Sequence, residues 1–184
     1  MLSFEEYSQQ THRTAAYPEN QAELYLALGI ADEAGELKEA ISVTGIDPDR
    51  RDKVTAEMGD VYWYVSELSR QLDVGVCANA SYSSSMKFEQ GVKRVDTALK
   101  YACRIAGQAK KALRDDGGEF TRDRKEKVKG HLEGVKSALQ DAAHHLGLGG
   151  EEVVLTRNAE KLSIRKEEGL IRGEGEGDER VSTA

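Results

Sequence analysis

Proline is nearly missing from this chain. Only Pro18 and Pro48 occur among 184 residues, so long helices can run without interruption. Aromatic residues make up 6% and β-branched runs are short, which argues against a large sheet. No apolar run approaches the roughly 20 residues that a membrane span needs. The first residues, Met1 to Tyr7, lack a basic segment followed by an apolar one, so no signal peptide is expected. Cysteine is scarce as well. Cys77 and Cys103 have no metal-ligand spacing and read as free thiols in a reducing cytoplasm. Basic residues are outnumbered, 26 Lys and Arg against 33 Asp and Glu, and a net charge of -7 argues against a nucleic-acid polymer as partner.

What remains is a charged, helix-forming chain long enough for one domain with a real core. A first helix is expected over 3–16, with Ser3 as N-cap and Glu6 completing a capping box, ended by Tyr17-Pro18. A second runs from about Asn20 to Val43, and Thr44 to Pro48 form a C-cap and turn, with Gly45 able to take a positive φ. A third runs from Pro48 or Asp49 to Leu72, with its seam at Val54, Met58, Val61, Val65, Leu68 and Leu72. On the second helix, Leu24, Leu28, Ala31 and Gly35 form one apolar stripe, and Leu26, Ile30, Leu37 and Ile41 form another. Such a helix is expected to be buried on two sides.

Between those stripes fall Glu33 and Glu36, and beside the seam of the third helix fall Glu57 and Asp60. Each pair is spaced i, i+3, so its carboxylates project together. Acids at this spacing are usually solvated surface. Two such pairs among apolar residues, on helices joined by one short linker, point instead to a shared site. Buried carboxylates need a partner, a proton or a cation. Oxygen-only ligation selects Mg²⁺ or Mn²⁺ over zinc, and the absence of histidine from both pairs counts against di-iron chemistry. An acidic cage with such a cation suits a polyphosphate substrate.

The chain then repeats its pattern. Segment 26–41 aligns with 98–113, and 49–75 with 123–149, where the seam recurs as Val128, Leu132, Val135, Leu139, Ala142 and Leu146. Glu33, Glu36, Glu57 and Asp60 are replaced there by Ile105, Gln108, His131 and Gly134. The expected organisation is one all-α domain over 1–184. It has a metal-binding half (1–75), a connector (76–97), a degenerate half (98–150) and a C-terminal part (151–184). The last opens with a helix over Glu151 to Glu167, whose Asn158, Lys161 and Arg165 share a face, and continues into a flexible glycine-rich tail.

The segments "GIADEAGELKEAI" and "EMGDVYWYVSELSRQL", with "FEEYSQQTHRTAAYP" and "NAEKLSIRKEEGLIRGEGEGDER" at the flanks, resemble the MazG-like, all-α nucleoside triphosphate pyrophosphohydrolases. The likeness covers residues 1–75 and 152–180. It implies that Glu33, Glu36, Glu57 and Asp60 bind Mg²⁺ and that an activated water cleaves the α–β phosphate bridge, giving a nucleoside monophosphate and pyrophosphate. It gives Glu36 or Glu57 the task of positioning or deprotonating that water, and places Asn158 and Lys161 near the phosphates. Residues 76–151 depart from the short members of that family. A duplication with a degenerate half is similar to the related dimeric dUTPases, which leaves open a dUTPase- or dCTPase-like enzyme for one deoxynucleotide. With two hairpins already in one chain, the expected assembly is a homodimer. A non-catalytic nucleotide- or metal-sensing bundle is the alternative from another class. Trp63 and Tyr64 are weighed as base-stacking or core residues, Gln21 as a base-edge reader, Arg165 as an anion contact, and His144 and His145 as solvated or structural.

Overall fold

The computed structural model describes residues 1–41, 48–77 and 85–171. Every regular element among them is helical: α1 (Phe4–Thr11), α2 (Ala22–Ile41), α3 (Pro48–Leu72), α4 (Phe88–Asp115), α5 (Arg122–His145) and α6 (Glu151–Glu167), with 3₁₀ turns at His12–Thr14 and Glu19–Gln21. The all-α class expected from the sequence is what the chain adopts. None of these helices is long and apolar enough to cross a membrane. The expected turn at Thr44 to Pro48 lies mostly outside the described residues, as do residues 78–84 of the connector and the tail beyond Ile171.

Local chemistry sets the boundaries. Ser3 accepts a hydrogen bond from the Glu6 N–H, and the Glu6 carboxylate accepts from the Ser3 N–H at 2.8 Å, which is the capping box read in the sequence. The helix stops at Thr11, short of the expected residue 16, because the Thr14 hydroxyl captures the Thr11 carbonyl at 2.8 Å and the chain tightens into a 3₁₀ turn. α3 ends where Asp73 takes a positive φ of 53°, and the Val74 N–H reaches back to the Ser69 carbonyl. α4 starts at Phe88, well inside the expected connector. Its buried face is Gly91, Val95, Ala98, Ala102, Ile105, Ala109 and Ala112, and its start carries no capping signal, since Lys87 at the N-cap makes no side-chain capping bond.

Four helices form the centre. α2 packs against α3, α4 against α5, and the two hairpins meet through α2 with α4 and α3 with α5. The seam of α3 and its counterpart in α5 are both buried, from Val54 to Leu72 and from Val128 to Leu146. α1 and α6 lie across α3. The expectation that α2 is buried on both stripes is corrected. Leu26, Ile30, Leu37 and Ile41 are in the core, whereas Leu28 is 51% exposed and Leu24, Ala31 and Gly35 are only half-buried. One face of α2 is already filled by α3 and α4, and among the described residues no element covers the Leu28 side.

Candidate metal centre

The hairpin geometry brings the acids together. Antiparallel packing of α2 on α3 sets Glu33 and Glu36 opposite Glu57, and one carboxylate oxygen from each lies within 4.8 Å of the others. All three are half-buried. Burial is the largest influence on Glu33, followed by the charges of Asp60, Glu36 and Glu57, and its carboxyl is pushed up to about 7. Burial and the charges of Asp60 and Glu36 raise Glu57 as well, against the pull of Lys161 and Lys53. The rise of Glu33 and Glu57 marks a concentration of negative charge that a divalent cation can offset, and the all-oxygen donor set fits Mg²⁺ or Mn²⁺.

Asp60 sits beside this trio but is held differently. Lys161 Nζ lies 2.5 and 2.7 Å from its two oxygens, and the Asn158 amide donates to Oδ1 at 2.9 Å. Asn158 is itself 2% exposed, with its Oδ1 accepting from the Tyr7 hydroxyl at 2.6 Å. Expected as a contact to substrate, Asn158 is instead a buried link between α1, α3 and Asp60. Two glycines let these helices close. A Cβ on Gly59 would come within 2.6 Å of Asn158 Cβ, and one on Gly29 within 2.2 Å of the Tyr64 ring. Gly35 has nothing within 4 Å of that position, so no close helix approach depends on it.

The three acids and Asp60 face a cleft of about 960 Å³. Lys161 and Arg165 of α6 line it, together with Trp63, Tyr64 and Tyr25. Because α2 and α3 run antiparallel, Tyr25 near the start of α2 meets Tyr64, with Trp63 next to it, on the side of the acids away from the hairpin turn. Tyr25 and Tyr64 stack at 6.4 Å, and Trp63 meets Tyr64 edge-on at 5.0 Å. The Trp63 indole N–H is committed to the Thr14 hydroxyl at 3.1 Å, so Trp63 both packs and lines the cleft. Gln21 is exposed in its 3₁₀ turn and does not line the cleft.

The equivalent place in the second hairpin is closed. Ile105 and Gln108 are buried, and the Tyr101 ring covers Gly134, where a Cβ would fall 2.7 Å from it. His131 lies against that same ring at 6.1 Å. His145 Nδ1 accepts the Lys87 N–H at the start of α4.

Glu67 escaped the sequence reading. Two turns beyond Asp60 on α3, its side chain is fully buried and accepts hydrogen bonds from Thr11 at 2.6 Å, Tyr17 at 2.8 Å and Arg70 at 2.8 Å. Burial alone would raise its carboxyl. The bonds from Arg70, Thr11 and Tyr17 outweigh it and hold the group below its ordinary value. The signal was an acid inside the apolar run of α3 with Arg70 three residues on. Through Tyr17, which lies 6.0 Å from Tyr25 and 6.2 Å from Trp63, this anion anchors the aromatic end of the cleft.

Over 56 residues the chain is 41% identical to the Gene 37 protein of Mycobacterium phage L5, a match covering 27% of this chain and 49% of that protein. The chain thus spans about half the length of that curated relative. No family model and no solved structure matches it.

Proposed function

We propose that this chain is a Mg²⁺-dependent nucleoside triphosphate pyrophosphohydrolase of the MazG-like type, converting a (deoxy)nucleoside triphosphate and water to the monophosphate and pyrophosphate. One observation carries the reading: three carboxylates within 4.8 Å of one another face a cleft that also offers Lys161, Arg165 and an aromatic surface. The first feature suits a divalent cation, the second phosphate, the third a base. Glu33, Glu36 and Glu57 would hold Mg²⁺, with Asp60 the fourth ligand once Lys161 turns to substrate. The bound cation would neutralise phosphate charge and favour ionisation of water. Glu57, its carboxyl raised by burial and the charges of Asp60 and Glu36, would take the proton of the attacking water, with Glu36 orienting that water. The water oxygen bonds to the α-phosphorus, and the bridging oxygen leaves with pyrophosphate.

A panel of canonical and modified triphosphates with Mg²⁺ tests this, with monophosphate, pyrophosphate and phosphate measured separately. Equimolar monophosphate and pyrophosphate are expected. Turnover confined to dUTP or dCTP would narrow the enzyme to the deoxynucleotide-specific form. Tight nucleotide binding without pyrophosphate release across the panel would favour a sensor. A homodimer is the proposed assembly, which light scattering on the full chain checks; the outward Leu28 of α2 and Leu113 of α4, 51% and 56% exposed, offer it apolar surface.

A further inference from the structure

Next to the cleft, on the hairpin-turn side of the acids, lies a second hollow of about 310 Å³ between the beginning of α3 and α6. Ala56 and Lys161 line both spaces, so the two are contiguous. No aromatic residue lines the smaller one. Its polar groups are Asp52 and Thr55 of α3 and Arg157, Asn158 and Lys161 of α6. Asn158 is committed to Tyr7 and Asp60, and the Thr55 hydroxyl to the Arg51 carbonyl at 2.7 Å. The cations that line it are Lys161 and, one helical turn before it, Arg157, each paired in this state with a carboxylate, Asp60 and Asp52.

Resting on the hydrolase reading, we infer that this hollow receives the pyrophosphate end of the substrate, and that Arg157 is its binding residue. The polarity of the hairpin supports the direction. π-surface lies on one side of the acids at Tyr25, Trp63 and Tyr64, and the aromatic-free, cation-bearing hollow lies on the other. A triphosphate whose α-phosphorus sits over the acids, with its base on the aromatics, carries its β- and γ-phosphates toward Arg157. When the bond between the α-phosphorus and the bridging oxygen breaks, that oxygen keeps the electron pair and departs with pyrophosphate. Arg157 and Lys161 are the groups placed to take up that charge. Arg157 is paired in this state with Asp52 at 2.7 Å, but both side chains are mostly exposed, 53% and 76%. Such an ion pair is weakly held, and a polyanion with two charged oxygens facing the guanidinium competes with it readily. Asp52 then acts as a resting counter-ion that parks Arg157 beside the hollow.

The test is product inhibition together with calorimetric binding of pyrophosphate, both with Mg²⁺, on wild type, Arg157→Ala, Arg157→Lys and Asp52→Asn. Arg157→Ala should raise the inhibition constant for pyrophosphate about tenfold, the effect of losing one charge-assisted contact, and leave that for the monophosphate within about twofold. Arg157→Lys should recover part of the loss, and Asp52→Asn should tighten pyrophosphate binding. A wild-type pyrophosphate constant in Arg157→Ala, with turnover intact, overturns the assignment and leaves the hydrolase reading standing. A wild type with no turnover on any triphosphate but with Arg157-dependent pyrophosphate binding keeps the anion site and removes the hydrolase. A wild type that neither turns over triphosphate nor binds pyrophosphate removes both.

Discussion

Lys161 Nζ and the Asp60 carboxylate form a two-oxygen ion pair, 2.5 and 2.7 Å, at the edge of the acid trio. The ammonium occupies the charge that a cation would otherwise take from Asp60. Lys161→Met should therefore tighten Mg²⁺ binding to the substrate-free protein several-fold and yet lower turnover by about 10²-fold, because a cationic contact to phosphate is lost. Calorimetry with Mg²⁺ and a pyrophosphate-release assay check both halves. Unchanged Mg²⁺ affinity in both Lys161→Met and Asp60→Asn would remove Asp60 from the ligand set.

Neutralising the acids without changing their shape separates site from scaffold. Glu36→Gln and Asp60→Asn should each abolish Mg²⁺-dependent turnover while circular dichroism stays that of wild type. His131→Ala, beside Tyr101 in the second hairpin, should keep turnover near wild type. A large loss in His131→Ala would mean that the second hairpin joins the site.

Two glycines in the α2–α3 hairpin should respond oppositely to alanine. Gly35→Ala adds a methyl to open space and should gain about 0.5–1 kcal/mol from helix propensity. Gly59→Ala forces its methyl into Asn158, and overpacking of about 1–3 kcal/mol should exceed that gain. Thermal or urea unfolding gives the two signs. Because Asn158 holds Asp60, Gly59→Ala should also weaken Mg²⁺ binding.

Glu67 makes stability depend on acid. Its folded-state carboxyl titrates below 4.5, its ordinary value, so its stabilisation is fully present above about pH 4.5 and is lost as pH falls through the lower folded value. Glu67→Ala should cost about 3 kcal/mol at pH 7, since a buried pair loses one partner, although the part-exposed Arg70 can turn to water. Urea midpoints measured from pH 7 to pH 3 should fall less steeply below pH 4.5 in the variant. Parallel slopes would mean that Glu67 is not ionised in the fold.

Much of the architecture was legible because it rests on local rules. The capping box at Ser3 and Glu6, the uninterrupted seam of α3 and the span of α6 all follow from side-chain spacing. The start of α4 was less legible, since Lys87 at its N-cap makes no side-chain capping bond and the helix begins close to Gly91, a poor helix former. The stripe containing Leu24 and Leu28 was misread as a second buried side. Periodicity reports which residues share a face, not whether anything covers it.

The sequence by itself determined an all-helical chain and the pairing of Glu33 with Glu36 and of Glu57 with Asp60, because i, i+3 spacing fixes direction on any helix. Only the tertiary structure decided how those four differ. Packing set Glu33, Glu36 and Glu57 around one point, while α6, admitted by the missing side chain of Gly59, brought Lys161 and Asn158 onto Asp60. It likewise turned Asn158 from an expected surface contact into a buried support, and made Glu67 an anchor. Each of those outcomes depends on groups about 50 to 150 positions apart in sequence meeting in space, and a burial cost of several kcal/mol per charge makes such meetings decisive.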